Sequence, residues 1–310
     1  MDRREWLKSG LMAAGLPFMG SALLAEDADT NPNAEKPALT LWQLPNQTIS
    51  QMMSYILLTD DDQLIVIDGG TKDDADYLVQ QIKEIHPDGR VDYWFFTHIH
   101  CDHAWALATI LNRGTDGLKI GEVYCDFPTA EWVKRNESGS HDVSIEILNA
   151  FEKHPHKKLP KNQPLQIGKV EITALNELND LDLDNPSLTV NDTSIVYRVK
   201  TPKTVLLFLG DLFVHGQEAL LKNQPAEALR ADVVQMAHHG QNGVTRDFYK
   251  LVKPSVCLWC TPDWLWDNNP PGSGSDTGPW KTIQTRAWMN EMGVKTHYII
   301  KDGLKKVNFS

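Results

Sequence analysis

Residues 95–105 read FFTHIHCDHAW, so three histidines and an aspartate fall within the six positions His98 to His103. The run before them, VDYWFF, is aromatic and β-branched and reads as a strand buried on both faces. The polar cluster therefore sits at a strand's carboxyl end. In an extended segment residues two apart share a face, which lets His98 and His100 present two imidazoles to one cation. The chain then turns, and Asp102 and His103 are placed to meet a second cation nearby. Imidazole with carboxylate suits Zn2+, and also Mn2+ or Fe, because donor type does not choose among them. Two cations about 3.5–4 Å apart activate a water and clamp the attacking and leaving oxygens of a hydrolysis.

Upstream of the cluster, LTLWQL and the pair of runs in MMSYILLTDDDQLIVIDGG read as strands, the last ending at Asp68. DDADYLVQQIKEI follows, with Ala75, Leu78, Val79, Ile82 and Ile85 at helical spacing and a stop at HPDGR. Downstream, residues 104–160 read as mostly helical around one strand, IGEVYCDF, and lead into the basic loop HPHKKLPKNQP. LQIGKVEITAL and DTSIVYRVKTPKTVLLFLGDLF look like hairpins, followed by a helix over 216–229. The strand ADVVQMA then leads to HHGQNG, with a helix over 245–252, the strand SVCLWCTP, a helix at TIQTRAWMNEMG and KTHYIIKDG as the last strand. Both halves run strands first and helices after. That order suits an α/β fold of two sheets packed face to face with helices outside each.

With 310 residues, 41% hydrophobic and 23% charged, the chain has an ordinary globular composition. Its net charge of −11 speaks against loose attraction to nucleic acid or anionic membrane, although a local basic patch would escape that argument. Residues 1–25 combine a basic start with an apolar stretch closed by small residues, an export pattern. The pair Arg3-Arg4, followed by Glu5, Trp6, Leu7 and Lys8, resembles a twin-arginine signal, which implies a periplasmic or extracellular destination. Residues 26–38 read as a linker, and 39–310 as one domain without a membrane span. Cys257 and Cys260 lie in a strand whose alternation points them to opposite faces, so buried free thiols are expected there.

HIHCDH (98–103) matches every fixed position of HxHxDH, the signature of the metallo-β-lactamase superfamily, which the chain resembles from about residue 39 to the C-terminus. The resemblance implies a four-layer αββα fold of two mixed sheets flanked by helices. It also implies metal ligation by His98, His100, Asp102, His103, Asp211 (in LLFLGDLF) and His238 or His239 (in MAHHG), with one of that last pair expected to ligate. Asp102 and Asp211 would be catalytic, and Asp68 would support the ligand loop from behind. Alone, Asp68-Gly69-Gly70 is an ordinary strand-ending turn and Gly210-Asp211 equally ordinary; their order with the cluster lifts them.

Many members place a further histidine between the first cluster and the bridging aspartate, but VNDTSIVYRV (190–199) has none. Asn191, Asp192 or Ser194 is expected to replace that ligand or hold a water. The spacing looks like the branch that includes the extracellular hydrolase domain of the bacterial DNA-uptake channel and is similar to a secreted phosphocholine esterase. Together with the export pattern it implies an exported metal-dependent hydrolase, with two Zn2+ per chain, acting on a small-molecule or phosphodiester substrate, or another phosphate ester. A lactam, lactone or thioester hydrolase is the alternative, and a binding protein with a structural metal the third reading. Trp264, Trp266 and Trp280 lie in a Pro/Gly-rich loop, where aromatics either form a substrate platform or plug the core. His141, His154, His156, His215 and His297 are read as surface or supporting residues.

Overall fold

Alternation within single strands decides the layering. In the strand β3 (Leu64–Asp68), Leu64 and Val66 face one apolar cluster while Ile65 and Ile67 face another. In β4 (Arg90–Phe95), Trp94 joins the first cluster and Phe95 the second. Strands that bury both faces need apolar cover on both sides, and the chain supplies a second sheet on one side and helices on the other. The computed structural model describes residues 36–270 and 272–310, and the compact unit Pro37–Ser310 contains all that follows.

The first sheet orders β14 (Lys305–Phe309), β1 (Leu39–Gln43), β2 (Ser54–Thr59), β3, β4, β5 (Lys119–Tyr124) and β6 (His156–Lys157). The second orders β13 (Thr296–Ile299), β12 (Val256–Trp259), β11 (Val233–Gln235), β10 (Val205–Phe208), β9 (Tyr197–Lys200), β8 (Val170–Ala174) and β7 (Leu165–Ile167). Both are mixed: β3 to β6 pair in parallel in one sheet and β10 to β13 in the other, with antiparallel partners on the remaining edge. Between the sheets lie Tyr55 and Phe208, edge to face at 5.0 Å, and Phe95 and Tyr197 at 5.3 Å. Helices α1 (Ala75–Ile85), α2 (Cys101–Asn112), α3 (Ala130–Asn136) and α4 (His141–Phe151) precede the second sheet, and Leu78, Ile82, Leu107 and Ile147 pack on the outer face of the first. α5 (Val214–Asn223), α6 (Arg246–Val252), α7 (Asp263–Trp266) and α8 (Thr282–Glu291) follow, and Leu220, Phe248, Val252 and Met289 cover the second sheet. This is the four-layer αββα architecture that the strand and helix order implies.

Three sequence expectations change. The final strand is β14, not KTHYIIKDG: β13 closes the second sheet, and KKVNF crosses to pair antiparallel with β1 in the first. The helix expected over 216–229 ends at Asn223, because Pro225 cannot continue it, and a separate 3-10 turn covers Ala226–Leu229. Asp192 and Thr193, expected to open a hairpin, belong instead to a 3-10 turn over Val190–Thr193. Cys257 and Cys260 are free and buried on opposite faces of their sheet, one in each apolar layer. Among the described residues no helix is long and apolar enough to cross a membrane. The export segment 1–25 lies outside the described residues, as does most of the linker.

Candidate active site

The polar residues gather where strands stop along one rim of the sandwich, at the carboxyl ends of parallel neighbours, where α/β sheets open a crevice. β3 ends at Asp68, and β4 gives way to Thr97 and the histidine cluster. β10 leads to Gly210-Asp211 and β11 to His238-His239. His100, in extended conformation, is the N-cap of α2, so Asp102 and His103 occupy that helix's first turn. Gly210 has φ of +55°, and a Cβ there would sit 2.6 Å from Thr97 Cβ, so glycine is what lets Asp211 approach β4's end.

Asp211 is the hub. Its Oδ1 lies 3.2 Å from His103 Nε2 and 3.6 Å from His239 Nε2. Its Oδ2 lies 3.9 Å from His98 Nε2 and 3.8 Å from His238 Nε2. Asp102 Oδ2 joins the first group, 3.3 Å from His239 Nε2, and His100 Nδ1 joins the second, 3.0 Å from His98 Nε2. We call the Oδ1 group the inner set and the Oδ2 group the outer set. Sequence neighbours in a strand point to opposite faces, yet both His238 and His239 reach Asp211. Both are in the left-handed region, with φ of 50° and 54°, a conformation that costs of order 1–3 kcal/mol per non-glycine residue. The turn brings together two rings where the sequence led us to expect one ligand.

The outer nitrogen of every ring meets an acceptor. His103 Nδ1 donates to Asp68 Oδ2 (2.9 Å), His238 Nδ1 to Asn242 O (2.8 Å) and His239 Nδ1 to Cys260 O (2.8 Å). His100 Nε2 donates to Glu137 Oε1 (3.0 Å), and His98 Nδ1 lies 3.2 Å from Thr97 Oγ1. These partners set the tautomer of each neutral ring, with the inner nitrogens of His98, His103, His238 and His239 facing Asp211 and that of His100 facing His98. Asp68 is fully buried and also accepts from Thr97 N and Thr97 Oγ1, both at 2.8 Å.

Burial pushes His98 well down, with His103 and His100 adding to it, and pushes His238 down to about 4 against the pull of Asp211. Burial also acts to lower His103 and His239, but the Asp211 carboxylate outweighs it, helped by Asp68 for the one and Asp102 for the other, and both are raised. Burial alone would raise Asp211; the surrounding rings, His103 foremost, hold it well below the usual range. Three atoms in this dry setting, His103 Nε2, His239 Nε2 and Asp211 Oδ1, have no hydrogen bond. Orphaned buried groups cost about 1–3 kcal/mol each, and a cation shared among them removes that cost. Donors of His98, His103 and Asp211, and of Asp102, His103 and His239, lie within 4.8 Å of one another, so the residues fit a metal.

Around this centre the other sequence candidates separate. Asn191 is buried, its Nδ2 lies 3.4 Å from His238 Nε2, and its Oδ1 has no hydrogen bond. Ser194 Oγ accepts from Asp211 N at 3.2 Å and so holds the hub's backbone. Asp192 is not a candidate ligand: its Oδ2 accepts from Thr189 N and Oγ1, and its Oδ1 from Gly216 N. Trp264 and Trp280 meet edge to face at 4.8 Å, and Trp264 Nε1 donates to Ile49 O, two residues from Gln51. Trp266 instead packs on Trp259 with the Arg286 guanidinium 4.0 Å above its ring, so it plugs the second sheet's outer layer.

Sequence reading missed Gln51, Gln241 and Glu137. Gln51 donates to Asp102 Oδ2 (3.2 Å) and accepts from Gln241 Nε2 (3.0 Å), strapping the 45–52 loop across the inner set. Gln241 lies two residues past His239, which was the one available hint. Nothing in the helix end AEWVKRNE singles out Glu137.

The metallo-beta-lactamase superfamily model matches residues 52–258, and the chain belongs to that superfamily, whose members are generally metal-dependent hydrolases. No curated protein matches the chain. Among solved structures it is similar to the metallo-beta-lactamase fold protein YhfI from Bacillus subtilis: TM-score 0.51, 12% identity, covering 86% of this chain and 99% of that one. The diiron beta-hydroxylase CmlA from Streptomyces venezuelae gives a TM-score of 0.50 at 11% identity, covering 90% of this chain and 55% of that one. Yeast PDE1 gives 0.47 at 12% identity, covering 85% and 97%. At such identities the likeness is one of fold.

Proposed function

We propose that this chain is an exported hydrolase of small phosphodiesters or phosphate esters that works with two divalent cations, Zn2+ or a similar ion, which the donors gathered about Asp211 would hold. The observation that carries the reading is the division of donors about that carboxylate, His103 and His239 to Oδ1, His98 and His238 to Oδ2. His238 then takes the place for which Asn191, Asp192 and Ser194 were candidates. When bound, the cations supply Lewis acidity, lowering the pKa of water and offsetting charge that develops on the ester oxygens.

The chain's own residues do the rest. Asp68 and Thr97 hold His103 and His98 in the tautomers that face the centre. Asp102, kept ionised by His239 and His103 despite its burial, manages the proton of the attacking water. The Asn191 amide, whose Nδ2 lies 3.4 Å from His238 Nε2, would be placed to donate to a substrate oxygen. Trp264 and Trp280, half-buried, give the substrate's non-reacting part an aromatic ledge beside the Gln51 strap. The missing mid-chain histidine and the HHG ending support a phosphoester substrate over a lactam, and the Arg3-Arg4 leader supports export.

The test is a panel of bis-nitrophenyl phosphate, a chromogenic β-lactam and an aryl lactone, assayed on protein with measured metal content. Phosphodiester turnover dominant and dependent on two equivalents of metal is the expected result. Lactam or lactone turnover well above it would overturn the substrate class, and activity with no bound metal would overturn the mechanism.

A further inference from the structure

We propose that Glu137 is the positioning residue of the outer set: it fixes His100 for its cation and ties that ligand to the turn carrying Asn191. The inference rests on the two-cation reading above. Glu137 directly follows α3, and its carboxylate reaches in two directions. Oε1 accepts from His100 Nε2 at 3.0 Å and from Ser140 Oγ at 2.6 Å, while Oε2 accepts from Val190 N at 3.3 Å, the residue before Asn191.

His100 is the one ring of the five that turns Nδ1 inward, toward His98. An imidazole offers Nδ1 to a cation only if the proton stays on Nε2, and a carboxylate acceptor at Nε2 enforces that tautomer and makes the ring a stronger donor. Thr97, Asn242 and Cys260 back His98, His238 and His239 with neutral oxygens. Only His103 and His100 have a carboxylate behind them, so each set has one: Asp68, fully buried, for the inner, and Glu137, with 19% of its side chain exposed, for the outer. Ser140 holds Glu137 in that rotamer from the start of α4. The bond to Val190 N makes the same carboxylate a brace for the 190–193 turn, so disorder at Glu137 would reach both a ligand and the amide beside it.

The experiment is a Zn2+ competition titration against a chromophoric chelator, on the wild type and on E137A, E137Q and S140A, with melting of the metal-free forms alongside. Wild type is expected to bind two equivalents. E137A should weaken one of them by about 10–100-fold and leave the other within twofold, and E137Q and S140A should give smaller losses in the same equivalent. Metal-free melting temperatures close to wild type would accompany these losses. Both equivalents held as tightly as in wild type by E137Q and S140A, or an equal weakening of both equivalents with lowered melting, would overturn the inference. A wild type that binds fewer than two equivalents overturns the two-cation reading beneath it, a result seen without any variant. If E137A does not fold, E137Q and S140A decide the matter.

Discussion

The inner and outer sets share one carboxylate but live in different surroundings. His103 and His239 are fully buried, and behind them stand a fully buried Asp68 and the Cys260 carbonyl. His100 and His238 are 8% and 7% exposed at the side chain, and the carboxylate behind His100 is half-buried Glu137. His98 of the outer set is fully buried as well and Asp102 of the inner set is 14% exposed, so the contrast lies in the carboxylate behind each set, sealed from solvent for the inner and near the rim, beside Asn191, for the outer.

The largest break comes at the hub the two sets share. Asp211→Ala should release both cations and lower kcat/KM by on the order of 10³-fold or more, read from metal content and steady-state rates together. Loss of only one equivalent would mean that Asp211 does not bridge. Asp68→Ala attacks the inner set directly and reaches the outer one only through the Thr97 hydroxyl beside His98: metal affinity should fall by about 10–100-fold in one equivalent and by less in the other, and the orphaned Thr97 N should cost about 1–3 kcal/mol in denaturant unfolding. If the outer equivalent weakens equally, the division into two sets fails.

Acidity sharpens the same contrast. Above the ordinary imidazole pKa, His98 and His238, both lowered, are neutral in folded and unfolded chains and add no pH slope. His103 and His239, both raised, bind protons in the metal-free folded state that the unfolded chain does not hold. That contribution to metal-free stability is full below the unfolded pKa and lost as pH rises through the folded values. Cations must displace those protons, so inner-set affinity should strengthen by about tenfold per pH unit for each proton released. Calorimetry in buffers of different ionisation enthalpy counts the protons; release from the outer equivalent alone would contradict the assignment. The smallest effect is expected at the ledge. Trp264→Ala should raise KM about 2–5-fold with kcat unchanged, the mark of binding shared by ground and transition states, and a fall in kcat instead would place Trp264 nearer the reacting atoms.

Much of this was legible in the chain because it is local. LIVID and VDYWFF carry their two-sided burial in their own residues, and HIHCDH sets four donors within one turn. The doublet His238-His239 was legible as a motif but not as two inward-facing rings, since a left-handed pair is visible only in backbone angles. Glu137 reaches His100 across 37 positions and Gln51 reaches Asp102 across 51, with no periodicity or motif to announce either. KKVNF was passed over because a short, half-polar edge strand alternates too briefly to stand out beside KTHYIIKDG. Its partner β1 lies at the other end of the domain.

That pairing joins Thr40 to Asn308, 268 positions apart. On the ribosome β1 is made early and keeps its outer row of amides and carbonyls open until β14 emerges, the kind of template that recruits stray strands. Asp211, His238 and His239 are likewise made long after HIHCDH. A nascent chain therefore carries only part of the candidate site's donors for much of its synthesis, and the closing of the first sheet and the completion of the centre both fall to the second half of translation.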